Sequence, residues 1–190
     1  MSLFCSKKSP VCVVGQLQRR VHSMAEILTT RLSLVPFTLN LVKSVINSRA
    51  ELEEVLGVIV PESWPSEEFG EILPMIADNL LNNPSLDKWG RIIIHKAENI
   101  LIGDIGFKGL PDDTGTVEMG YGIIPSHQGQ GYASEAAEGM IDWAFAQSGV
   151  QRITAECLRE NIRSVRVLEK IGMQRTGTKE DLIMWEVCKS

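Results

Sequence analysis

The stretch Val117-Glu118-Met119-Gly120-Tyr121-Gly122-Ile123-Ile124-Pro125-Ser126-His127-Gln128-Gly129-Gln130-Gly131, running on into Tyr132-Ala133-Ser134, decides how this 190-residue chain is read. It opens as a strand over 116–124 that Pro125 stops, because proline cannot donate to a ladder. It closes at the start of a helix over 132–147, where Ala133, Ala136, Ala137, Met140, Ile141, Ala144 and Phe145 share one face. Between the two lies a tight loop with glycines at 129 and 131. Such a loop exposes main-chain N–H groups, and the helix start adds its own unpaired donors and the positive end of its dipole. We therefore read 128–134 as an anion site built from the main chain of Gln128, Gly129, Gln130, Gly131, Tyr132, Ala133 and Ser134. The loop carries no lysine, so backbone donors are expected to do most of the binding.

Three phosphate motifs compete for these residues, beside the plain reading of a glycine-rich turn. A P-loop requires a lysine followed by Ser or Thr after its glycines, and none follows here. The dinucleotide fingerprint would use Gly129 and Gly131, but Ser134 stands at the third glycine and 149–152 lacks the ribose-binding acid. The pattern Q/R-x-x-G-x-G/A is met by Gln128, Gly131 and Ala133. In the preceding strand, Glu118, Gly120 and Gly122 fall on one face and Met119, Tyr121 and Ile123 on the other. Two packing glycines beside a polar edge position would explain that face. A ligand groove with an acid at its wall explains it too, and makes Glu118 the candidate general base, acting through a water.

Working outward, a short strand is expected at 30–35, a helix from Thr38 to 48, a helical piece at 51–56, a loop at 60–65 and a helix at 67–82 capped by Ser66. Strands follow at 89–95 and 100–106, then the 116–124 strand and the 132–147 helix. A strand at 153–157, a helix at 161–171 and a hairpin of two strands at 174–178 and 182–187 complete the chain. The order gives an α+β domain: a mixed, mostly antiparallel sheet of about seven strands flanked by helices, with one βαβ crossover across 116–157. Asn161 caps its helix, and Ser164 lies one turn on; either could also face a ligand between the two helix starts.

Composition limits the partners. The net charge of −5 argues against nucleic acid, which selects for a basic patch. No run of 18 apolar residues occurs, so no membrane span is expected. The cysteines Cys5, Cys12, Cys157 and Cys188 and the histidines His22, His95 and His127 are scattered without metal-binding spacing, so no metal is expected, and reduced thiols in a cytoplasmic protein are. Residues 1–25 carry Lys7, Lys8, Arg19 and Arg20 and no acid, and are read as a poorly ordered extension ahead of a single domain at 26–190.

At these residues the chain resembles the GNAT N-acetyltransferase superfamily, in its RimJ/RimL-like branch. Val117-Glu118-Met119-Gly120-Tyr121 is similar to that branch's fourth-strand motif, 128–133 to its acyl-CoA loop, and Thr29-Thr30-Arg31-Leu32 to its first strand. The run from Asn161 to Met173 is similar to N-x-x-S-x-x-V-L-E-K-x-G-F, with Met173 in place of the aromatic. The resemblance spans about 29–187. It implies an acetyl-CoA-dependent N-acetyltransferase acting on a primary amine, a protein N-terminus or a small molecule, by direct attack in a ternary complex. It implies a splayed sheet with acetyl-CoA in its gap, the pantetheine along Ile123 and Ile124, Asn161 against the pantetheine or a water, and a homodimer as a plausible assembly. Many members place a tyrosine where this chain has Leu168; the branch offers Ser164 instead, to hydrogen-bond the departing thiolate. A non-catalytic acyl-CoA or nucleotide sensor is the alternative. The acceptor should lie against 51–82 and 110–115; Trp64 and Phe69 are read as packing residues first and as candidate lining second.

Overall fold

The computed structural model describes residues 26–189. The extension expected at 1–25, with Cys5, Cys12 and His22, lies outside the described residues. A two-residue strand β1 (Ile27–Leu28) precedes β2 (Leu32–Pro36), whose Leu32 and Leu34 are fully buried. Helices α1 (Leu39–Asn47), α2 (Arg49–Leu56) and α3 (Glu67–Asn82) each begin at a hydroxyl: Thr38, Ser48 and Ser66 accept from the N–H of Leu41, Glu51 and Phe69. Each bond satisfies a donor that a helix start leaves open. The meander β3 (Gly90–His95), β4 (Ile100–Phe107) and β5 (Thr116–Ile123) follows. Then come α4 (Tyr132–Phe145), β6 (Arg152–Leu158), α5 (Ile162–Lys170) and the hairpin of β7 (Gln174–Lys179) and β8 (Leu182–Cys188).

The strands lie in the order β1-β2-β3-β4-β5-β6-β8-β7. Neighbours are antiparallel except β5 and β6, which are parallel and joined by the α4 crossover. The sheet thus has eight strands rather than about seven. The additional strand, β1, is two residues long and offers no periodicity to read. The segment expected as a break after 82 contains a 3-10 turn at Pro84–Lys88.

Two helical layers cover opposite faces. On one lies α4, with Ala136, Ala137, Met140 and Ala144 at zero exposure. Its Gly139 approaches Leu34, and its Trp143 ring sits 5.0 Å beneath the Arg91 guanidinium. On the other lie α1–α3 and the cluster Phe37, Trp64 and Phe69, with ring centroids 5.9–6.4 Å apart. Between β5 and β6 the sheet splays. They pair only at Thr116–Glu118 against Arg152–Thr154, while β5 pairs β4 as far as Ile123.

Candidate active site

The loop before α4 has a shape only glycine adopts readily at two points: Gly129 has φ 74° and Gly131 φ 82°. Gly131 is the cap of α4 and makes no side-chain bond to the first turn, so the N–H groups of Tyr132, Ala133 and Ser134 stay available. Tyr132 and Ser134 pack their side chains inward, at 6% and 3% exposure.

The loop is held from the bend before β2. Arg31 donates from Nε to Glu135 Oε2 at 2.6 Å and from Nη1 to the Gln130 carbonyl at 3.0 Å, and lies over the Tyr132 ring. Burial would raise the Glu135 carboxyl, but the bonds from Thr29 and Arg31 outweigh it and hold the group below its usual range. Behind Tyr132, its hydroxyl meets His95 Nε2 at 3.1 Å, and Glu98 reaches both His95 and His127 at 3.2 Å. Cations flank the loop as well. A methyl placed on Gly131 would stand 3.6 Å from Arg31 Nη2 and 3.8 Å from Lys170 Nζ. Arg163 on α5 donates to the Gln128 side-chain oxygen.

The gap beyond Glu118 exposes main chain. Lys108 N–H donates to the Glu118 carbonyl and Ile124 N–H to the Ile102 carbonyl, so even-numbered residues of β5 bond to β4. Alternation then turns the groups of Met119, Tyr121 and Ile123 toward the gap. Of the two isoleucines expected along a pantetheine, Ile123 presents its carbonyl there, where the Gln128 amide caps it at 2.8 Å. Ile124 is buried and spends its N–H on β4. Across the gap, Asn161 Oδ1 accepts from the Ser164 N–H at 3.1 Å, which is the capping role. The Ser164 hydroxyl meets the Tyr121 hydroxyl at 3.0 Å. Burial pushes the Tyr121 phenol up to about 12, against the opposing bond from Ser164. A phenol that weakly acidic suits hydrogen-bond donation more than proton loss.

The glycine face of β5 looks the other way, into a cavity of about 650 Å³ beneath α3. Its floor includes Asp104, Gly120 and Gly122, and its walls include Phe37, Phe69, Ile72, Ile76 and Leu86. Phe69 is therefore lining, while Trp64 donates its indole N–H to Asp104 Oδ2 at 2.8 Å. Burial pushes the Asp104 carboxyl up to about 7, with the Trp64 bond opposing. Glu118 sits further along the same face, ion-paired with Lys108, which also lies 3.4 Å from Glu156. The hydrogen bond to Glu118, ahead of the cost of desolvation, raises the Lys108 ammonium above its ordinary value and keeps it charged. Among the described residues no cluster of three or more His, Cys, Asp or Glu is placed to hold a metal ion, and no helix is long and apolar enough to cross a membrane.

The fold thus gathers Gln128 to Ser134 at one helix start, with Asn161, Ser164 and Ile123 around the adjoining gap and Glu118 at its closed end. Sequence reasoning missed Asp104, Tyr121 and the cations Arg31, Arg163 and Lys170. For Asp104 a signal existed: it is the single acid in an otherwise apolar and glycine strand. For Arg31 there was none, since about 100 residues separate it from the loop it holds.

The model of the acetyltransferase (GNAT) domain matches residues 31–174. YjdG of Bacillus subtilis, an uncharacterized N-acetyltransferase, is 34% identical over 147 residues, covering 76% of this chain and 86% of that protein. The crystal structure of a GNAT-family acetyltransferase from Bacillus anthracis is similar with a TM-score of 0.60 at 27% identity, covering 86% of this chain and 98% of the other. RimL, the ribosomal L7/L12 alpha-N-protein acetyltransferase, solved in complex with coenzyme A, shares the fold with a TM-score of 0.59 at 18% identity, covering 86% of this chain and 97% of its own. The uncapped glycine-loop helix start, the splayed strands and these matches agree: the chain belongs to the GNAT acetyltransferase family and is an acyltransferase.

Proposed function

We propose that the protein transfers an acetyl group from acetyl-CoA to a primary amine by direct attack within a ternary complex. The observation that carries this reading is the combination at one place of an uncapped α4 start, two left-handed glycines and three cations beside a strand edge open past Glu118. The diphosphate would take the N–H groups of 129–134, with Arg31, Lys170 and Arg163 adding positive charge. The pantetheine would lie along the β5 edge at Tyr121 and Ile123, displacing the Gln128 cap. Asn161 is assigned to holding α5 in place against it. The paired hydroxyls of Tyr121 and Ser164 would donate to the sulfur as negative charge develops there.

RimL bound to coenzyme A supports the choice of donor, and the N-acetyltransferase relatives support an amine acceptor. Positioning supplies part of the acceleration, because two reactants held together no longer meet by diffusion. The test is calorimetric titration with acetyl-CoA, joined to thiol release in the presence of amines. Micromolar binding with amine-dependent release is expected. Binding without release would make the protein a sensor, and no binding of any CoA thioester would end the reading altogether.

A further inference from the structure

Taking the donor reading above as given, we infer that the acceptor is a primary ammonium on an apolar body, seated in the cavity between α3 and β3–β5, and that the Asp104 carboxylate takes its proton.

The cavity holds about 650 Å³, room for an aromatic or branched aliphatic body. Its α3 wall leaves Ile72 41% and Met75 56% exposed, an apolar surface that a soluble fold gains by covering. The floor supplies charge. Asp104 pairs with Gly122 in the ladder, between the Tyr121 and Ile123 groups assigned to the pantetheine. A methyl on Gly122 would sit 3.6 Å from both carboxylate oxygens, so the glycine leaves the acid a clear line across β5. The charged or titratable groups around the cavity are Glu68 from α3, Arg91 from β3, Lys108 from the bend that follows β4 and Tyr121 from β5. None is an ion-pair partner of Asp104 among the described residues. Arg91 lies over Trp143 on the opposite face, and Lys108 is engaged by Glu118. A half-buried carboxylate with no cation paired to it among the described residues, in an apolar cavity, is complementary to an ammonium. Glu118, by contrast, already has a cation in Lys108.

The step balances. The ammonium gives one proton to Asp104, and the freed lone pair attacks the thioester carbon. The C–N bond forms, the C–S bond breaks, and the sulfur leaves with that electron pair. The second nitrogen proton passes to the thiolate, and Asp104 returns its proton to solvent. The carboxyl at about 7 is better matched to this task than an ordinary carboxylate.

The test compares kcat/KM for 2-phenylethylamine and hexylamine with ethanolamine and spermidine, and for a peptide beginning with Leu. It is run on the wild type, Asp104→Asn, Glu118→Gln and Gly120→Val. Apolar amines are expected to exceed polar ones by at least tenfold; the Leu peptide against the free amines tells which source supplies the ammonium. The wild-type rate should rise with pH through about 7. Asp104→Asn should lose that limb and about 100-fold in rate at pH 7, while binding acetyl-CoA as the wild type does. Gly120→Val should raise the amine KM alone. If ethanolamine or spermidine is preferred, or if Glu118→Gln loses the limb and Asp104→Asn keeps it, the inference fails while the donor reading stands. If acetyl-CoA does not bind the wild type, the donor reading fails first.

Discussion

Asp104 holds a carboxylate where a carboxylate is costly, and that cost can be measured apart from catalysis. In the unfolded chain the group ionises near 3.8; in the fold, burial pushes it up to about 7. Below about pH 3 it is protonated in both states and costs nothing. As pH rises, the unfolded chain ionises while the folded one resists, so stability falls until the folded group also ionises near pH 7. The full loss has an upper bound of about 4 kcal/mol. Asp104→Asn, which keeps the shape and the neutral form, should therefore melt several degrees higher than wild type at pH 8 and no higher at pH 3. Circular-dichroism melts across that range check it. A variant less stable at pH 8 would mean that the ionised carboxylate is stabilised by its surroundings. On the expected outcome the same residue would lower stability and supply chemistry, a common trade at reactive sites.

At the scale of one strand, β5 and its neighbour β4 divide their glycines between two jobs. A methyl on Gly103 would lie 2.0 Å from the Gly122 carbonyl oxygen, a clash with main chain. Gly103→Ala should cost about 3 kcal/mol or more in chemical denaturation, because the two strands cannot part without breaking their ladder. A methyl on Gly120 meets nothing within 4 Å, so Gly120→Ala should leave the melting curve within about 0.5 kcal/mol of wild type. Period-2 alternation in Val117–Ile123 exposed the special face, yet could not say which glycine was steric and which left room for a ligand; that depends on β4, a separate segment. The elements themselves were largely legible. Hydroxyl caps at Thr38 and Ser66 and the alanine stripe of α4 fix helix bounds through local chemistry. The anion loop was legible for the same reason, since its donors and glycines are contiguous. The Lys108 engagement of Glu118 was not, because an ion pair between neighbouring strands depends on their register.

Across the whole molecule, on the reading proposed above, the sheet would separate two reactants and the β5–β6 gap would join them. The proposed donor site draws on α4, α5 and Arg31 around the gap, while the cavity proposed for the acceptor lies on the α3 face. Substitutions on the two sides should then act independently. Lys170→Ala removes a cation near Gly131 and should weaken acetyl-CoA binding, with the deficit shrinking as salt screens the remaining charge. Ile72→Ser removes apolar wall from the cavity and should raise the KM of an apolar amine without changing acetyl-CoA affinity. Because the two residues share no partner, their effects on kcat/KM should multiply, with a coupling below about 0.5 kcal/mol. Steady-state kinetics on the two single variants and the double variant decide it. A coupling above about 1 kcal/mol would mean that filling one side reshapes the other, through β5 as the one strand that touches both.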